Sequence, residues 1–113
     1  MRSQDAKETD IDSSVKMFWC NFFTTKYEIV TAICDENLIG TVIRTDKIDV
    51  KISKHFYGGR LIDEQAAIRA MTKATIGNLF GKEIIKLAQK NGFIAKKNII
   101  FIDEIPHAQF VKI

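Results

Sequence analysis

Residues 17–34 read MFWCNFFTTKYEIVTAIC, and this stretch predicts a β-hairpin at the start of the fold. Two apolar runs rich in aromatic and β-branched residues, 17–23 and 27–34, are joined by a short polar link at 24–26. Such runs pack well on a pleated surface, and a tight link between them is typical of antiparallel pairing. The folded part of the chain is therefore expected to begin with a sheet.

Beyond the hairpin, the spacing of apolar residues changes from that of strands to that of helices. Residues 48–52 alternate apolar and polar side chains, as a strand with one buried face does. From 62 to 74, apolar residues recur about every four positions, which predicts a helix with Asp63 as its N-cap. A second helix is predicted over Lys82–Lys90, ended by the Asn-Gly pair at 91–92.

The segment between the two predicted helices contains two glycines. Gly77 and Gly81 weaken helical structure, so residues 74–81 are interpreted as the frayed end of the first helix and a junction to the second. The apolar runs at 99–102 and 108–113 are predicted to be strands.

The chain order is strands, helix pair, strands, without alternating strands and helices. This order predicts an α+β fold, a mostly antiparallel sheet with a pair of helices packed on it, rather than a doubly wound sheet. Residues 15–113 are predicted to form this single domain. Residues 1–14 are polar and lack hydrophobic periodicity, so they are predicted to be a disordered tail.

The charge balance favours an anionic partner. The chain has a net charge of +3, but residues 15–113 alone carry fifteen basic and ten acidic side chains. An excess of that size on a small domain is consistent with RNA or another acidic partner, although scattered lysines also serve solubility.

Several classes of protein are not expected. No apolar run approaches the roughly 20 residues that span a bilayer, and residues 1–14 contain no secretory signal. Cys20 and Cys34 lie in apolar runs, which is typical of reduced, buried thiols in a cytoplasmic protein. With His55 and His107 they would make four metal ligands, but the spacing of known zinc motifs is absent. We expect no metal and no cofactor.

The loop Tyr57-Gly58-Gly59-Arg60 is the first candidate site. The glycines would let a ligand approach the backbone, Arg60 would bind a phosphate, and Tyr57 would stack on a base. Alternatively, the glycine pair is only the sharp turn that leads into the following helix. Both interpretations stay open at this point.

The second candidate site is a row of lysines on the second helix. Lys82, Lys86 and Lys90 are four residues apart and therefore lie on one helix face, with Lys96 and Lys97 shortly beyond. Most such rows are simply solvated surfaces, yet this one is the best candidate for contacts with phosphates.

Other polar and aromatic residues have a structural and a functional interpretation. His107 would be a general base or an RNA contact, but without a nearby partner a structural role is favoured. Asn78 is expected to cap the helix junction near Gly81 rather than to bind a partner. The rings between Phe18 and Phe23 exceed what one strand face buries, so some of them are expected to meet a partner.

Three segments together resemble a known family. They are Phe56-Tyr57-Gly58-Gly59, the run ATIGNLFG at 74–81, and Pro106-His107-Ala108-Gln109. In this order and spacing they resemble the archaeal family catalogued as domain of unknown function 424, over about Tyr27 to Ile113.

Asn78 and His107, although structural roles are favoured for both, are kept among the candidate binding residues, and Gln109 is added to them. The resemblance implies no established activity, but it implies an association with translation, because genes of the family often neighbour those of translation factors such as the β subunit of archaeal initiation factor two. We therefore expect a non-enzymatic module that binds RNA, the ribosome or an initiation factor. The alternative is a small enzyme or ligand-binding protein that uses His107 and the glycine loop on a phosphorylated or nucleotide ligand.

Overall fold

The computed structural model describes residues 15–113, and its main element is a six-stranded sheet. Its strands are β1 (Met17–Thr24), β2 (Ile29–Asp35), β5 (Arg60–Asp63), β6 (Ile76–Phe80), β7 (Ile99–Ile102) and β8 (Ile105–Val111), and a separate two-stranded ribbon contains β3 (Val42–Arg44) and β4 (Asp49–Lys51). The spatial order in the sheet is β5-β1-β2-β6-β8-β7. All neighbouring pairs are antiparallel except β2 and β6.

The predicted α+β class with a mostly antiparallel sheet is therefore confirmed. The tail predicted at residues 1–14 lies outside the described residues.

The hairpin predicted from residues 17–34 is present as β1 and β2. Its register runs from Phe18 opposite Asp35 to Thr24 opposite Ile29. The connecting turn is closed by Thr25, whose backbone N–H donates to the Glu28 carbonyl at 2.9 Å and whose hydroxyl accepts from the Glu28 N–H at 3.0 Å. Thr25 thus bonds both the carbonyl and the N–H of Glu28, which explains why this short polar link holds the two strands together.

Three helices accompany the strands: α1 (Lys54–Tyr57), α2 (Glu64–Lys73) and α3 (Lys82–Lys90). Asp63 is the N-cap of α2, as predicted, and its Oδ1 accepts from the Ala66 N–H at 2.9 Å. At the end of α3, Asn91 is the C-cap and Gly92 adopts a φ of 80°, which confirms the predicted stop. None of the helices in the described part of the chain is long and apolar enough to cross a membrane.

The two faces of the sheet bury different cores. On the face that we call the helix face, α2 and α3 cover a cluster that includes Phe18, Ile33, Leu79, Met71 and Ile84. The opposite face is covered in part by residues 36–57, which contain β3, β4 and α1 and which we call the arm. Its cluster, on the arm face, includes Ala32, Cys34, Ile43, Ile52, Tyr57 and Phe80.

The interpretation of residues 74–81 as a helix end and junction is wrong, because residues 76–80 form the central strand β6. This strand pairs in parallel with β2 and antiparallel with β8, and it contributes Leu79 to one core and Phe80 to the other. A strand buried on both faces has no alternating pattern, so periodicity cannot distinguish it from a short helical segment.

Gly77 is in this strand for a steric reason. A Cβ on Gly77 would lie 2.1 Å from the ring of Phe110 on β8, so the glycine makes room for that ring.

Two further elements were not predicted, and both surround the glycine pair. The strand β5 follows it, and the short helix α1 precedes it, capped by the Ser53 hydroxyl, which accepts from the N–H groups of His55 and Phe56. Because β5, β6 and β7 run in the same direction with other strands between them, α2 and α3 are each the crossover of a split β-α-β unit.

The N-terminus of α3 is capped by a residue from β2 instead of by its own N-cap. The N-cap is Gly81, and the buried Asp35 carboxylate accepts from the N–H groups of Glu83 at 2.9 Å and Ile84 at 2.8 Å. Burial raises the pKa of Asp35, while the two N–H groups favour its charged form. These two bonds fasten the helix to the end of the sheet.

We predict that Asp35→Ala lowers the free energy of unfolding by about 2 kcal/mol, because a buried cap and its two hydrogen bonds are lost. Asp35→Asn keeps one acceptor and should lie between the wild type and the alanine variant. Urea denaturation measures the change, with the exposed neighbour Glu36→Ala as the matched control. Equal stability of the Asp35 and Glu36 alanine variants would show that the cap is not important.

Candidate functional site

The glycine pair lets the chain pass close to β1. A Cβ on Gly59 would lie 2.6 Å from the Cys20 carbonyl oxygen and 2.8 Å from the Asn21 Oδ1, and a Cβ on Gly58 would lie 2.5 Å from the Lys54 carbonyl oxygen. Neither position has room for a side chain. The glycines are thus required for the turn that ends α1 and begins β5 at Arg60.

Tyr57 is not available for stacking on a base, contrary to the first interpretation of the loop. Its side chain is only 5% exposed, and its hydroxyl donates to the Asn78 Oδ1 at 2.6 Å. Burial raises the pKa of this hydroxyl well above its usual range. The pair joins α1 in the arm to the central strand.

Asn78 does not cap a helix junction, because it lies in the middle of β6, where its side chain accepts this hydrogen bond. It stands opposite Gln109 on β8, whose side chain is exposed. Two predicted binding residues, Tyr57 and Asn78, are thus in direct contact, with a third beside them on the arm face.

His107 is also on the arm face, opposite Phe80. Its Nδ1 lies 2.8 Å from the Leu79 carbonyl oxygen, which assigns the proton to Nδ1, and its ring is 4.5 Å from that of Phe80. Burial lowers the pKa of the imidazole, while the bond to Leu79 raises it. These contacts support the structural role favoured from the sequence.

Arg60 and His107 lie on opposite faces of the sheet. Arg60 pairs with Cys20, whose side chain belongs to the helix-face core, whereas His107 pairs with Phe80 of the arm-face core. Residues directly opposite on antiparallel strands project to the same face. The glycine loop and His107 therefore do not converge on one ligand.

Arg60 instead lines a groove of about 640 Å³ on the helix face. The pairing of β5 with β1 ends at Cys20, so the second half of β1 has no paired strand on that side within the described part of the chain. The other wall of the groove is α2. The lining residues are Cys20, Asn21, Phe22, Gly59, Arg60, Ile62, Ala66, Arg69, Ala70 and Lys73.

Three cations surround this groove. Arg60, Arg69 and Lys73 are exposed, and none of them forms a salt bridge within residues 15–113, where the ion pair found joins Arg44 and Asp49. Arg69 and Lys73 were not identified from the sequence, although the spacing Ala66, Arg69, Ala70, Lys73 places two cations and two alanines on one helix face.

The groove also contains an aromatic ring. Phe22 is 42% exposed, whereas Phe18 is completely buried. This exposure is consistent with the prediction that the aromatic run 18–23 has more rings than one strand face can bury. Cys20, Ile62 and the two alanines add apolar atoms to the surface of the groove.

The lysine row on α3 is exposed as predicted. Lys82, Lys86 and Lys90 face solvent, while the residues between them bury the opposite side of the helix. Lys96 and Lys97 are exposed in the turn before β7. This row is on α3, so it is a second basic surface and not a part of the groove beside α2.

The thiols and imidazoles are dispersed. Cys20 and Cys34 are both buried and belong to cores on opposite faces, and burial raises the pKa of Cys34 to about 12. Among residues 15–113 no group of three or more histidine, cysteine or acidic side chains is arranged to hold a metal ion.

Comparison with known proteins identifies the family. Residues 23–113 match the family described as "Protein of unknown function (DUF424)". The chain belongs to the DUF424 family. The resemblance inferred from the three sequence segments is thereby confirmed.

A solved structure shares the fold of this DUF424 chain. It is titled "Crystal structure of an uncharacterized conserved protein from Methanopyrus kandleri" and is 21% identical in sequence, with a TM-score of 0.74 over 86% of this chain and 94% of the other. No curated protein matches the chain.

We predict that the fold loses stability as the pH falls below about 6.5, the ordinary histidine pKa. Because burial lowers the pKa of His107, the unfolded chain takes up a proton before the folded chain does, so stability is complete above that pH and decreases below it. Thermal melts from about pH 8 to 5.5 measure the effect. His107→Gln should flatten the profile and the exposed His55→Gln should not. An unchanged profile in the His107 variant would refute the assignment.

Proposed function

We propose that this chain is a non-enzymatic binding protein whose groove between α2 and β1 takes single-stranded RNA. The observation that carries the proposal is the combination of three unpaired cations, Arg60, Arg69 and Lys73, with the half-exposed ring of Phe22. Proteins that hold single strands combine a positively charged groove with rings on which bases stack.

Each part of the groove has a role in this proposal. The guanidinium groups of Arg60 and Arg69 each bind two phosphate oxygens. Lys73 adds a point charge at the C-terminal end of α2. Phe22 stacks on a base, which is independent of sequence because every base has a flat face. Replacing Gly59 by a residue with a side chain would obstruct the approach to Arg60, because the added Cβ would clash with β1.

The lysines of α3 extend the same proposal. Lys82, Lys86, Lys90, Lys96 and Lys97 are exposed, and they contact phosphates outside the groove when the RNA is longer or part of a ribosome. The link to translation that the sequence resemblance implies favours a partner of this kind, namely RNA, the ribosome or an initiation factor. We place this activity in the archaeal cytoplasm.

The alternative, a small enzyme acting through His107, is less well supported. It requires His107 and Arg60 around one phosphorylated ligand, and these residues lie on opposite faces of the sheet. We therefore propose binding and not catalysis.

The test is fluorescence anisotropy with a short, unstructured polyuridine RNA labelled at one end. The triple variant Arg60→Gln, Arg69→Gln, Lys73→Gln should bind much more weakly than the wild type. Because three phosphate contacts are lost, the slope of log affinity against log salt concentration should become shallower by about 2. Phe22→Ala should weaken binding by about 1–3 kcal/mol without altering the salt slope.

The matched control removes the same charge elsewhere. Lys26, Lys47 and Lys51 are exposed and lie outside the groove, so their triple glutamine variant should bind almost as the wild type does. Replacing Lys82, Lys86 and Lys90 by glutamine measures the contribution of α3. If the groove variant binds as tightly as the wild type at every salt concentration, the groove is not the RNA site.

A further inference from the structure

We infer that the free edge of β7 pairs with the same edge of a second copy of this chain, forming an antiparallel dimer with one continuous sheet. Among residues 15–113, β7 is the outermost strand beside β8, and its residues Ile99–Ile102 are all apolar. Ile100 is 56% exposed and Phe101 is 66% exposed. This inference does not depend on RNA binding in the groove beside α2. In the dimer, Lys96 and Lys97 pair with the second copy, and only the lysines of α3 stay free for phosphates.

The edge of β7 lacks the usual protection against pairing. Sheet edges are commonly blocked by charged side chains or proline within the strand, or by a bulge. The opposite edge strand, β5, has Arg60 and Asp63 at its two ends. The strand β7 has no charged residue and no proline, and it presents two large exposed apolar side chains.

The backbone groups available on this edge follow from the pairing with β8. Phe101 stands opposite Pro106, which has no N–H and whose carbonyl accepts from the Gly81 N–H on the β6 side. The pair Phe101–Pro106 is therefore not hydrogen-bonded, and the N–H and carbonyl of Phe101 point to the free edge, as do those of Ile99 two residues earlier.

The charges that flank β7 select the orientation of the partner. The sequence is KKNIIFIDE from Lys96 to Glu104, with two lysines before the strand and two acids after it. All four side chains are exposed. Antiparallel pairing of two identical copies brings the lysines of one chain to the acids of the other, whereas parallel pairing would place like charges together.

The register follows from the same two constraints. Ile99 opposite Phe101 of the second copy aligns the free backbone groups of both strands and places Ile100 opposite its own copy on the two-fold axis. This register directs Lys96 toward Glu104 and Lys97 toward Asp103 of the other chain. Shifting it by one residue in either direction leaves one lysine and one acid without a counterpart, and it sets Ile99 or Phe101 against Ile100, whose backbone groups point to β8.

The test is the mass of the purified full chain in solution, measured by light scattering and sedimentation over a range of protein concentrations without RNA. We expect twice the 12.9 kDa of one chain at high concentration. Ile100→Lys places two lysines against each other at the two-fold axis and should return the mass to one chain. The control Leu61→Lys puts the same change on the exposed outer strand β5 and should leave the dimer intact.

A charge swap provides the second test and does not depend on how the fold tolerates Ile100→Lys. Lys96→Glu and Glu104→Lys should each weaken dimerisation, and the two changes together should restore it, because the pair is only reversed. Asp103 is left unchanged because it holds a φ of 59°. A wild-type chain that stays monomeric at every concentration would overturn the inference, and so would a dimer unaffected by Ile100→Lys and by either single charge reversal.

Discussion

The parallel pairing of β2 with β6 is the contact on which the rest of the structure depends. It joins two antiparallel blocks, β5-β1-β2 and β6-β8-β7, into one sheet. Its register is fixed at both ends: the Thr75 hydroxyl accepts from the Ile29 N–H, and the Asp35 carboxylate accepts from the first turn of α3. A slip of one residue would exchange the two faces of β6, so both cores depend on these bonds.

The same sheet also fixes the helices that form the proposed site. Beside the Asp35 cap, Gly81 adopts a φ of 122°, and a Cβ there would lie 2.4 Å from the Asp35 carboxyl carbon. At the other helix, the Lys112 Nζ donates to the carbonyls of Met71 at 2.8 Å and Thr72 at 2.7 Å in the last turn of α2. The last turn of α2, which forms one wall of the groove, is therefore fastened to the sheet by Lys112, the residue that follows β8.

Local patterns predict only part of this arrangement. The hairpin, the Asp63 cap and the stop at Asn91 depend on neighbouring residues and are visible in the sequence. The strand β6 is not, because it is five residues long, buried on both faces and flanked by helices. For the candidate site, Arg60 is found through the glycines before it. Arg69 and Lys73 are not, because only the topology brings one face of α2 beside the free half of β1.

Residues in the segments that resemble the family act mainly by positioning other parts of the chain. Tyr57 and Asn78 are joined by a partly buried hydrogen bond, and this bond holds α1 against the arm face of the sheet. After α1, Gly59 packs so closely against β1 that it leaves no room for a side chain. The next residue, Arg60, points to the other face of the sheet. The Tyr57–Asn78 pair on one side of the sheet thus helps to set the position of the Arg60 backbone on the other. A residue can in this way matter for binding without touching the ligand.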